Sequence, residues 1–155
     1  LEKQLITFFL SGEEYGIDIL EVDGIQRLKE ISITKVPQTD SYIKGIINLR
    51  GNVIPLIDLQ ERFDLGTGNL DKDARIIVVY FKEKLLGLLV DRVDEVVDIE
   101  VDSIEEPPEE IVPIENKYLS GIAKFEEKLV IILDIEKILS EKAEKEILEM
   151  TDSLV

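Results

Sequence analysis

Arg50 is the residue whose type and setting point most directly to chemistry. It lies in Asn48-Leu49-Arg50-Gly51-Asn52, between the apolar runs Ile46-Ile47 and Val53 to Leu59. A guanidinium beside an exposed leucine is an interface anchor: it can form a two-pronged pair with a carboxylate while a partner buries the leucine. Catalysis has fewer supports. His is absent, which removes the commonest general base, the commonest metal ligand and any phosphohistidine relay. Cys is absent too, so disulfides, thiolate chemistry and zinc–sulfur sites are excluded. Asp58 and Asp134 resemble a carboxylate pair, but each precedes a helix-start pattern in its own copy of one unit, and capping accounts for both.

Ten carboxylates lie between Asp94 and Glu115, with no Lys or Arg from Arg92 to Lys117. They lack the spacing and glycine of a calcium loop and read as a solvated stretch. Gly66-Thr67-Gly68 is too short for a phosphate loop and follows no strand-to-helix junction. No catalytic, cofactor-binding or metal-ligating residue is therefore assigned. The net charge of −16 argues against a nucleic-acid backbone as partner. No apolar run approaches the roughly 18 residues of a membrane span, and no segment has the layout of a signal peptide.

The elements that must position Arg50 come next. Tyr42 to Phe63 reads as strand, tight turn, strand and short helix, with Gly51 or Asn52 expected at positive φ and Asp58 at the helix start. Tyr118 to Leu139 repeats that pattern 76 residues later: Gly121 falls on Gly45 and Asp134 on Asp58. The second copy carries Phe125-Glu126-Glu127-Lys128 where the first has Leu49-Arg50-Gly51-Asn52. A shared fold explains what the copies keep, and leaves the basic turn of the first unexplained.

Leu5 to Leu10 and Ile76 to Phe81 correspond at an offset of 71, as do Ile17, Ile19, Val22 and Ile25 with Leu88, Val90, Val93 and Val96. The growth of the offset places about five extra residues between Ile99 and Asn116. Ile31 to Val36 alternates as a strand that stops at Pro37, and Gln38 to Lys44 reads as a turn or helical turn ended by Gly45. Short strands at regular spacing with little helix predict an all-β chain of two small five-stranded barrels packed together. The expected boundaries are about 11–72 for the first unit and about 73–139, plus the N-terminal strand, for the second. A C-terminal helix is expected over about 135–150, with Ile135, Leu139, Ala143 and Ile147 on one face and Glu141 four before Lys145. Ile19, Val22, Val93 and Val96 are either core or the lining of a groove between barrels, and sequence does not choose.

Glu13 to Val22 (EEYGIDILEV), Tyr42 to Leu59 (YIKGIINLRGNVIPLIDL), Leu88 to Val97 (LLVDRVDEVV) and Tyr118 to Gly121 (YLSG) resemble the CheW family of bacterial chemotaxis adaptors, over about Leu5 to Leu139. The resemblance implies two SH3-like barrels and a cytoplasmic scaffold at membrane-bound receptor arrays, monomeric when free. It implies coupling of the cytoplasmic tips of chemoreceptors to the histidine kinase CheA. The kinase's regulatory domain would meet Asn48, Leu49, Arg50 and Gly51; receptor contact would fall on Ile6, Ile19, Val22, Val93 and Val96. Gly24 departs from the polar or acidic residue frequent in relatives. The competing expectation is an acidic β-barrel that binds a small ligand or metal and has no signalling partner.

Overall fold

The computed structural model describes residues 1–37, 39–66, 70–108 and 114–153. Five strands come from the first repeat: β1 (Glu2–Leu10), β2 (Glu13–Asp18), β3 (Val22–Arg27), β4 (Ile43–Leu49) and β5 (Asn52–Asp58), followed by the short helix α1 (Leu59–Arg62). The second repeat supplies β6 (Arg75–Phe81), β7 (Lys84–Val90), β8 (Arg92–Glu100), β9 (Leu119–Phe125) and β10 (Lys128–Leu133), then α2 (Glu141–Ser153).

Hairpins β1–β2, β4–β5, β6–β7 and β9–β10 close through two-residue turns, with Leu10 opposite Glu13, Leu49 opposite Asn52, Phe81 opposite Lys84 and Phe125 opposite Lys128. The first turn residue is left-handed in each: Ser11, Arg50, Lys82 and Glu126 have φ of 49°, 53°, 46° and 57°. Left-handed turns of this length match the twist of the flanking strands. Positive φ therefore falls on Arg50 and Gly51 (84°), whereas Asn52 begins β5.

The sheets do not follow the repeats. One sheet runs β3-β6-β7-β5-β4, the other β8-β1-β2-β10-β9. Each repeat thus gives its first hairpin to the other's sheet, where it is seated by a parallel pairing: Leu56 opposite Gly87 in one, Ile132 opposite Gly16 in the other. The expected division near residue 72 is corrected accordingly. β2 joins the second barrel along with β1, and β6 and β7 join the first.

This exchange explains why LITFFL and IIVVYF are continuously apolar. Leu5 packs inside the second barrel with Val97, Ile99, Ala123, Val130 and Ile132, while Ile6, Phe8 and Leu10 face a core shared by both barrels. Ile76 and Val78 pack inside the first barrel, and Ile77, Val79 and Phe81 enter the shared core. Strands buried on both faces lose the polar alternation of a half-buried strand.

Three local expectations are revised. Ile31 to Val36 is no strand; only Thr34 bridges to Ile46, as Glu105 does to Ile122 in the second repeat, which places the extra residues after Glu105. Gly45 ends no helix. It lies within β4 at φ 142°, where a side chain would collide with the Thr34 carbonyl oxygen. The C-terminal stripe is split into a 3-10 turn over Ile135–Lys137 and α2, because the Ser140 hydroxyl accepts from the Ala143 amide (3.1 Å) and starts a new helix. Ile135, Leu139, Ala143 and Ile147 are nonetheless all buried in the shared core. Among the described residues of α2 an ion pair joins Lys142 to Glu146 at 3.7 Å, and none joins Glu141 to Lys145 as expected.

Candidate functional site

Asn48, Leu49, Arg50 and Gly51 come together at the tip of the β4–β5 hairpin. The Asn48 side chain is exposed, and its Oδ1 accepts from the Gly51 amide at 3.1 Å, holding the turn. Leu49 is half-buried against the interior of the first barrel and less available than the sequence suggested. Arg50 stands in solvent, and no hydrogen bond or ion pair reaches its guanidinium among the described residues. Beside the tip lies a depression of about 60 Å³ lined by Asp23, Gly24 and Gln26 of β3, by Leu49, Arg50, Asn52 and Ile54, and by Val78 and Leu85.

The five residues of the second expected surface divide by depth. Ile6 is 5% exposed and belongs to the shared core. Ile19, Val22 and Val93 are half-buried and pack on that core from its edge. Val96 is 52% exposed and lies opposite Ile6 across the β1–β8 ladder, where the next pair, beyond a bulge, is Phe8 opposite Val93. Val22 lies opposite Val79 on β3–β6. Val22 and Val93, equivalent in the two repeats, therefore hold matching places where the shared core meets solvent.

Asp58 and Asp134 are caps. Asp58 Oδ1 accepts from the Gln60 and Glu61 amides at 3.0 and 3.4 Å, and Asp134 Oδ1 from Glu136 at 3.1 Å. Burial raises the Asp58 pKa in spite of those amides and of Lys44. Glu61 pairs with Lys44 (2.7 Å) and leaves the Asp58 amide to the Tyr42 carbonyl, so the capping box stays open.

Among the described residues, the acidic groups close enough together to hold a metal are Glu14, Asp94 and Glu95. The protein's own cation sits among them: Lys128 Nζ lies 3.1, 3.4 and 3.0 Å from their oxygens. Hydrogen bonding to Glu95, then to Glu14, drives the Lys128 pKa upward, so the ammonium is held in place. Glu109, Glu110, Thr67 and Gly68 lie outside the described residues.

Sequence reasoning passed over Arg62. Its guanidinium sits 4.7 Å from the Tyr42 ring and 4.8 Å from the Tyr118 ring, and its Nε donates to the Ile138 carbonyl. Tyr42 and Tyr118 are the same position in the two repeats, as are Arg62 and Ile138. The 76-residue offset was the signal available: it sets an arginine against an isoleucine at a place where two copies of one residue would meet.

Residues 4–143 match the family model described as the CheW-like domain. The chain is 39% identical over 136 residues to the chemotaxis protein CheW of Helicobacter pylori, covering 88% of this chain and 81% of that protein. It is 36% identical over 138 residues to the chemotaxis protein CheW of Klebsiella aerogenes, covering 89% and 82%. The crystal structure of the scaffolding protein TtCheW from Thermoanaerobacter tengcongensis superposes with a TM-score of 0.84 at 40% identity, covering 92% of this chain and 91% of that one.

Proposed function

The chain belongs to the CheW-like family, and from that membership we propose that it is a chemotaxis adaptor that couples the cytoplasmic tips of chemoreceptors to the histidine kinase CheA and catalyses no reaction itself. Curated relatives that it matches at 31–39% identity are named chemotaxis protein CheW, which supports the scaffold role. The observation that carries the kinase face is the free guanidinium of Arg50, offered from a two-residue turn held by Asn48 in a chain of net charge −16. Ile19, Val22, Val93 and Val96, at the edge of the shared core, are the residues for receptor contact, with Ile6 supporting them from beneath. The kinase face centres on the β4–β5 tip, whereas the receptor residues lie on β1, the turn after β2, the start of β3 and β8, and on this reading both partners are held at once. Holding both makes their encounter effectively intramolecular, and receptor conformation can then bias the kinase. The adaptor acts in the cytoplasm at receptor arrays without entering the bilayer; no helix among the described residues is long and apolar enough to cross a membrane.

Arg50→Glu tests the kinase face. Calorimetric titration with the kinase's regulatory domain should show affinity falling by about tenfold or more, with the melting temperature unchanged because the side chain lies in solvent. Receptor binding should persist. Unchanged kinase affinity would remove the hairpin tip from the interface.

A further inference from the structure

The two barrels have equivalent mouths, and only one of them is shut. In the second barrel Lys128 bridges Glu14, Asp94 and Glu95, while Thr7 Oγ1 lies 3.2 Å from both the carbonyl oxygen and the amide nitrogen of Glu95. At the repeat offsets of 71 and 76 the matching positions of the first barrel are Asn52, Leu85, Asp23, Gly24 and Val78. Lysine has become asparagine, two of the three carboxylates have become leucine and glycine, and the buried threonine has become valine. The remaining carboxylate, Asp23, accepts from the Tyr80 hydroxyl at 2.8 Å. Val97, buried within the second barrel, is replaced by Gln26.

What this leaves is the depression beside Arg50. Its volume of about 60 Å³ is several times the roughly 10–15 Å³ a single water needs, which is room for a branched aliphatic side chain. Leu49, Ile54, Val78 and Leu85 give it apolar walls. A Cβ added at Gly24 would meet nothing within 4 Å. β3 has no ladder partner on its outer side among the described residues, so an extended segment can approach the mouth. The cation at the rim, Arg50, has no carboxylate of its own, whereas its counterpart in the shut barrel is Glu126.

We propose that the open mouth of the first barrel is a pocket for a partner segment that inserts one aliphatic side chain and sets a neighbouring carboxylate against Arg50. This deepens the kinase-face reading and takes only the identity of the partner from it. The chemistry follows from complementarity: the apolar walls of the recess select the side chain, and the unpaired Arg50 guanidinium, on a rim that also carries Asp23 held by Tyr80, selects the carboxylate.

The test uses the whole chain with N-acetyl-Leu-Asp-amide as probe, followed by amide chemical shifts. Saturable shifts at Gly24, Gln26, Arg50 and Leu85 are expected. They should be lost in Gly24→Val, which fills the recess at a position with space for the new side chain, and be weakened at least tenfold with N-acetyl-Leu-Asn-amide. No shift at these amides, or equal shifts in Gly24→Val, overturns the pocket; equal affinity for the Asn peptide overturns the role of Arg50. Gly24→Val should also weaken the kinase's regulatory domain about tenfold. Probe binding with no kinase binding by the wild-type chain would refute the partner and leave the pocket standing. Kinase binding undiminished by Gly24→Val would show that the pocket is not used in that contact.

Discussion

Glu21, in the 3-10 turn after β2, is placed against electrostatics. Burial first, then Asp18 and Asp134, raise its pKa above the usual 4.5, and Lys3 opposes them only in part. The sign of the consequence follows from linkage. Well below pH 4.5 both folded and unfolded chains hold the proton, and nothing is lost. As pH rises, the unfolded chain ionises first and is favoured, until the folded-state pKa is passed. Glu21→Gln should therefore raise the melting temperature at pH 7 and leave it unchanged near pH 3, as followed by circular dichroism. An equal shift at both pH values would assign the effect to packing. Arg50 is the converse case, a charge that folding leaves without a partner. Its candidacy could be read from the sequence because the second copy has Glu126 there, whereas for Arg62 the repeat offset marked only a difference from Ile138, and the two tyrosine rings it sits between, 76 residues apart in the chain, were not legible.

At the scale of elements, α2 is seated on the barrels by its apolar face and by the ion pairs Glu144–Lys82 and Lys142–Asp40. Its buried side chains include Ala143 and Ile147, and Ser140 caps its start while its hydroxyl lies 3.2 Å from the Tyr42 hydroxyl. Ser140→Ala should cost about 1 kcal/mol and reduce hydrogen-exchange protection in α2 well before the strands. Uniform loss of protection would mean that the helix does not open separately. The strands themselves were legible, because β-branched and aromatic runs recur at offsets of 71 and 76 and the turns between them are short. Which sheet each hairpin joins was legible only for β1, expected in the second barrel and found there, and not for β2, β6 or β7. β1–β2 and β6–β7 have the same pattern, so each suits the edge of β5 or of β10 equally well, and no local signal separates the two pairings. Gly45 was misread for a related reason: a glycine needed for close approach to Thr34 looks the same in sequence as one that ends a helix. The depression beside Arg50 was likewise hidden, since it exists only once β3, β5, β6 and β7 lie side by side.

At the scale of the molecule, the exchange makes the barrels interdependent. Phe8, fully buried in the shared core, lies on a strand whose other face fills the second barrel. Phe8→Ala should cost about 3–5 kcal/mol and shift one unfolding transition, with calorimetry and tyrosine fluorescence coincident. Two separable transitions would show that the barrels melt independently. A lone repeat that kept the pairing seen here would hand its first hairpin to a second copy, and the closed body would then be a symmetric pair whose two ends are alike. Once both copies share a single polypeptide, a substitution at Asn52 no longer has to be made at Lys128 as well. Fusion is thus what permits a division of labour, one end sealed for rigidity and the other left free to receive.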